Sequence, residues 1–132
     1  NEHPAPQIPV IKELDMPHIV IETPLDMDTI QQAFDQQNHS HDDIRVKVMR
    51  VFRGEASLLF ETYIAEPTVE QQIALVYAGR RGYKNQYALK LSFIGNPRPT
   101  TGVHIAVRKL GEWLLALHPE NVMIEDKVKQ NL

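Results

Sequence analysis

Thr68-Val69-Glu70-Gln71-Gln72-Ile73-Ala74-Leu75-Val76-Tyr77-Ala78-Gly79 is the stretch on which the reading of the fold turns. Thr68 followed three residues later by Gln71 resembles a capping box, in which two side chains satisfy the first free N–H groups of a helix. Val69, Ile73, Val76 and Tyr77 follow at helical spacing and predict a buried stripe. Gly79 or Gly82 supplies the stop.

A hairpin precedes this predicted helix. From Ile44 to Arg53 the chain alternates: Ile44, Val46, Val48 and Phe52 face one way, Arg45, Lys47 and Arg53 the other. Arg50 breaks the apolar face. Gly54-Glu55 marks the turn, and Leu58, Phe60, Thr62 and Ile64 return. A three-residue loop pairs Phe52 with Leu58 and Val48 with Thr62. A two-residue loop instead puts Arg50 and Glu61 on one face with Phe52 and Leu59. The first register separates apolar from polar better, and a one-residue slip flips every side chain.

On the other side, Gln86 to Ile94 predicts a strand with Tyr87, Leu89, Leu91 and Phe93 on one face. Gly95-Asn96-Pro97-Arg98-Pro99 is a stiff loop, and Thr100 or Thr101 starts the longest helix. Val103, Val107, Leu110, Leu114 and Leu117 recur on one helical face, and Pro119 ends it. Val122-Met123-Ile124 predicts a short edge strand. Nearer the start, His18 to Glu22 reads as a strand, and Thr23-Pro24-Leu25-Asp26 opens a helix carrying Met27, Ile30 and Phe34. The order strand, helix, strand, strand, helix, strand is that of a ferredoxin-like βαββαβ sandwich. The expected fold is α+β, with an antiparallel sheet, an added C-terminal amphipathic helix and a short edge strand. Residues 1–17, with four prolines, form an extended arm; 18–125 form one domain; 126–132 form a frayed tail.

The chain of 132 residues is long enough for one domain with a real core, and its 42% hydrophobic and 23% charged residues are ordinary for a globular protein. There is no cysteine, which excludes disulfides, thiolate metal sites and cysteine nucleophiles. No apolar run is long enough for a membrane span, and cytoplasm is the default location.

Net charge is −3, yet Gln71 to Gly111 contains no acid and carries Arg80, Arg81, Lys84, Lys90, Arg98, Arg108 and Lys109. Such a segment attracts anions with little internal competition. Gly79 to Asn85 is a Gly-rich exit that can form an anion nest with Arg80, Arg81 and Lys84. Arg98 stands beside a helix start, whose free N–H groups favour an anion. The two turns flank one strand at opposite ends, about 30 Å apart at ~3.3 Å per residue, so they suit an extended partner and not a small ligand. On the last helix, Thr101, His104, Arg108 and Gly111 form a polar stripe with a glycine notch, a second candidate groove.

Enzymatic signatures are thin. Asn38-His39-Ser40-His41-Asp42-Asp43 offers metal-ligating groups in one loop, without a distant third ligand. A His-hydrophobic-His nuclease pair with Tyr77 as nucleophile fails at Ser40, the middle residue. Arg53 to Phe60 partly matches an RNA-recognition signature, but the two base-stacking positions hold Glu55 and Ser57. Phosphate-loop, nucleophile-elbow and zinc-protease motifs are absent. The expectation is a non-enzymatic interaction or regulatory domain, homo-oligomeric, without cofactor or metal. Its basic edge of Arg80, Arg81, Lys84, Arg98, Thr101, His104 and Arg108 meets an anionic ligand or acidic partner. The alternatives are a small metal-dependent enzyme acting on phosphodiesters through His39 and His41, and a structural subunit of a larger assembly.

Overall fold

A computed structural model describes residues 14–80, 87–130 and 132. Among these residues nine elements follow one another: β1 (Ile19–Glu22), α1 (Met27–Ala33), β2 (Gln37–His41), β3 (Ile44–Arg53), β4 (Ser57–Glu66), β5 (Val69–Arg80), β6 (Ala88–Ile94), α2 (Thr101–Ala116) and β7 (Val122–Asp126). The strands form a seven-stranded sheet in the order β2-β3-β4-β5-β6-β1-β7, antiparallel throughout. It curls as a half-barrel, with α1 and α2 packed on the inside.

This overturns the ferredoxin-like α+β sandwich, and the error lies in the opening stretch. Residues 69–80 are a strand, not a helix. Ala74, Val76 and Ala78 point inward, while Ile73, Leu75 and Tyr77 alternate with them on the outer face. Apolar residues on both faces of a strand contain the helical spacing as a subset, so periodicity alone did not separate the two. Thr68 is no cap. It has φ +64° and forms, with Pro67, the corner of a tight turn, because Glu66 pairs directly with Val69. Proline suits the first corner of such a turn. The second difference is β2. The histidine stretch expected as a loop is a polar edge strand, paired with β3 from Gln37↔Val48 to His41↔Ile44.

Both hairpin registers between β3 and β4 occur in one ladder. Arg45 to Val48 pair as the three-residue loop requires, with Val48 opposite Thr62. Arg50 to Arg53 pair as the two-residue loop requires, with Arg50 opposite Glu61 and Phe52 opposite Leu59. Met49 is the extra residue at a β-bulge between them. The bulge resolves the conflict at Arg50, which sits on the outer face beside Glu61 while Val51, opposite Phe60, takes the inward position.

The core is the filled concavity of the sheet. Ile19, Ile21, Val48, Leu58, Phe60, Val76, Leu89 and Leu91 meet Ile30 of α1 and Val107, Leu110 and Leu114 of α2. Phe34, Phe60 and Trp113 stack edge to face, with ring centroids 5.4, 5.6 and 6.0 Å apart, each contact worth about 0.5–1.5 kcal/mol beyond buried area. α1 starts later than expected. Asp26 is its cap, accepting from the Thr29 amide at 2.7 Å, and that bond holds the carboxyl below its usual range.

Candidate functional site: the outer face of strands β3, β4 and β5

Among the described residues, the expected basic edge does not assemble as one surface. Arg98 lies in the loop beside Gln72, whose side-chain amide accepts from the Arg98 amide at 2.7 Å and donates to its carbonyl at 3.1 Å. Arg80 ends the same strand eight residues further on, about 26 Å away at ~3.3 Å per residue. Its guanidinium turns inward and donates to the Leu25 carbonyl. Burial pulls its pKa down, and nearby Asp26 opposes that. Arg81 and Lys84 lie outside the described residues.

The anion place expected at the start of α2 is taken by the protein itself. Glu66, from the β4–β5 corner, accepts from the Gly102 amide at 3.2 Å and from the Thr100 hydroxyl. A carboxylate here satisfies free N–H groups and the positive end of the helix dipole. Thr101 is the first residue of that helix and lies half-buried. The stripe continuing along α2 is covered. His104 is 3% exposed, Arg108 donates to the Lys129 carbonyl at 2.9 Å, and a side chain at Gly111 would meet Ile19 of β1. The glycine notch is thus a place where helix and sheet approach closely.

His39 and His41 share one side of β2. His39 faces a cleft with Lys109, Glu112 and Trp113, and its Nε2 is 2.9 Å from Gln37 Oε1. Burial lowers its pKa, and Lys109 lowers it further. His41 lies 3.8 Å from Asp42 at the turn. Among the described residues, no three His, Cys, Asp or Glu side chains come together as a metal site. No described helix is long and apolar enough to cross a membrane.

What the strands do bring together is a basic and apolar strip on the outer face. An open cleft of about 440 Å³ is lined by Arg45, Lys47 and Met49 of β3, Tyr63 and Ala65 of β4, and Gln71 of β5. The register explains the grouping: Lys47 pairs with Tyr63 and Arg45 with Ala65. Tyr63 is also opposite Ile73, which is 66% exposed, and Phe52 at the end of the strip is 44% exposed. Arg45 and Lys47 are in no ion pair among the described residues; the Arg45 guanidinium donates to the carbonyls of Asp42 and Ile44 at 2.7 and 3.1 Å. Glu61 organises the neighbouring row, accepting from Arg50 at 3.2 Å and from the Tyr63 hydroxyl at 2.9 Å. That bond and the adjacent carboxylate raise the Tyr63 pKa, so its hydroxyl stays protonated at neutral pH and the ring is held against the sheet. The alternation of Arg45 and Lys47 is visible in the sequence, but their apolar neighbours come from β4 and β5 and needed the pairing.

No protein-family model matches this chain, and no curated protein or solved structure does either.

Proposed function

We propose that this chain is a non-enzymatic binding module whose outer sheet face takes an acidic segment of a partner protein. One observation carries the reading: Arg45 and Lys47, neither in an ion pair among the described residues, flank an open cleft floored by Met49, Tyr63 and Ala65. Two cations match one or two carboxylates, and the apolar floor matches one aliphatic or aromatic side chain between them. Arg adds a planar fork that suits carboxylate. A nucleic-acid track favours more cations and rings able to stack on bases, whereas Tyr63 is tied to Glu61. The inner face is occupied by α1 and α2, which leaves the outer face as the side available to a partner.

The test is titration of labelled poly-glutamate, with single-stranded DNA of similar length as the competing class. Binding of poly-glutamate that weakens as salt rises, and falls at least tenfold in Arg45→Glu/Lys47→Glu with melting unchanged, supports the proposal; exposed charges are screened over about 8–10 Å at physiological salt. Tighter binding of the DNA, or poly-glutamate binding indifferent to the double charge reversal, rejects it.

A further inference from the structure

His104 closes the first turn of α2, between the buried residues Val103 and Ile105, and it is 3% exposed. Both of its ring nitrogens are engaged by backbone from opposite ends of the chain. The Lys129 amide donates to Nδ1 at 2.9 Å. Nε2 lies 2.7 Å from the carbonyl oxygen of Asp15. A carbonyl only accepts, and Nδ1 is already accepting, so the proton must be on Nε2 and the ring must be neutral. One tautomer of one protonation state satisfies all three groups.

The segment it holds lies over α2. Val128 is buried among Val107, Leu110 and other core residues, and its amide is bonded to Asp126 at 3.0 Å. Arg108, one turn beyond His104, holds the Lys129 carbonyl, while its own Nε is buried without a partner. Residues 126–132, read from sequence as a frayed tail, thus include a stretch that fills the polar stripe of α2. Two side chains of the stripe, His104 and Arg108, grip the amide and the carbonyl of one residue, Lys129.

We infer that residues 127–130 are a latch over α2, closed by neutral His104 and opened when His104 takes a proton. The imidazolium has no lone pair at Nδ1. It would set an N–H against the Lys129 N–H and leave both without acceptors in a buried place. Release of the segment uncovers two cations one turn apart on α2, His104 and Arg108. In the closed state His104 borders a cleft of about 640 Å³ together with Asp15, His18, Asp126, Lys127 and Lys129. Burial holds the His104 pKa below its ordinary value, the Asp15 carbonyl and carboxylate oppose this, and Lys129 and Arg108 add to it. Opening therefore falls on the acid side of about pH 6.5. His18, which faces Glu125 at 3.5 Å, is the other imidazole in that cleft.

The experiment is NMR of the whole chain across the acid range, following the His104 ring nitrogens and the exchange protection of the Lys129 amide. The expected result is the Nε2–H tautomer at neutral pH. Lys129 protection should fall at least tenfold with the His104 midpoint, while Phe60 and Val76 in the central strands stay protected. His104→Gln keeps an acceptor and a donor but cannot titrate, so it should hold Lys129 protected into the acid range; His18→Gln should leave the opening unchanged. An Nδ1–H tautomer, protection that persists through the His104 titration, or the same acid opening in His104→Gln would overturn the inference. The tautomer measurement needs no variant, so it stands even where a substitution fails to fold.

Discussion

Glu66 reaches from the corner between β4 and β5 to the first turn of α2, where its carboxylate accepts the Gly102 amide at 3.2 Å. The same carboxylate takes the Thr100 hydroxyl, whose oxygen in turn accepts the Val103 amide at 3.3 Å. One acid from a strand corner thus organises the start of the longest helix. Glu66→Ala leaves the Gly102 amide and the Thr100 hydroxyl short of an acceptor. It should lower stability by about 1–3 kcal/mol in urea unfolding, as expected when a charged hydrogen-bond partner is lost. An unchanged midpoint would show that water replaces the carboxylate without cost.

Gly102 and Gly111 are helical glycines, and by propensity alone replacement with Ala should stabilise by about 1 kcal/mol each. Contact reverses the sign at Gly102. A Cβ there would lie 2.5 Å from Ile64 Cγ2 and 2.6 Å from a Glu66 carboxylate oxygen. Ile64 is fully buried and cannot withdraw. Gly102→Ala should therefore destabilise by about 1–3 kcal/mol, the usual cost of overpacking. At Gly111 the obstacle is Ile19 Cδ1 at 2.7 Å, the tip of a side chain, and the loss should be smaller. Thermal melting of the two variants ranks them, and a gain at Gly102 would refute the packing account.

The bulge at Met49 makes a prediction about deletion. Removing Met49 leaves Val48 opposite Thr62 and Arg50 opposite Glu61, now as neighbours in an unbroken ladder with every side chain on its present face. The deletion should fold, with a loss within the roughly 0.5–3 kcal/mol of an ordinary substitution. Removing Leu59, which pairs with Phe52 and Tyr77 in regular register, flips one half of β4 and should abolish cooperative unfolding. Circular dichroism melts of both deletions decide the point.

Stability should depend on pH through His39 and His104. Burial lowers the pKa of both in the folded chain. Between the lowered value and the ordinary value of about 6.5, the unfolded chain binds more protons than the folded one, so stability rises with pH. The contribution is complete above about pH 6.5 and lost as pH falls through the folded values. Urea midpoints at about pH 5 should lie below those at about pH 7.5, and His39→Gln/His104→Gln should flatten the difference. A midpoint independent of pH, or one that falls as pH rises, contradicts this.

Much of the strand layout is legible in the residues, and the exceptions have physical causes. β3 shows itself because its inward face is apolar and its outward face mostly charged, β4 because Leu58, Phe60, Thr62 and Ile64 alternate after a turn signal, and α2 because an apolar face repeats over its length. β5 misleads because Ile73, Leu75 and Tyr77 remain apolar on the outer face. β2 carries no apolar residue and exists as a strand through its pairing with β3. The candidate site is half legible: Arg45 and Lys47 alternate in plain view, whereas Tyr63 and Gln71 join them only through strand order. Nothing local to Glu66 or His104 announces partners 36 and 89 residues away. The acid-free segment drew attention to charge, but the fold directs Arg80 inward and Arg108 to the tail.

The most direct test of the binding face is a map of amide shifts when a short glutamate-rich peptide carrying one leucine is added to the labelled chain. The largest changes should fall on Arg45, Lys47, Met49, Tyr63 and Ile73, fade as salt is raised, and vanish in Arg45→Glu/Lys47→Glu. Changes centred instead on Arg98 or on Arg80, or a peptide that shifts nothing at low salt, would contradict it.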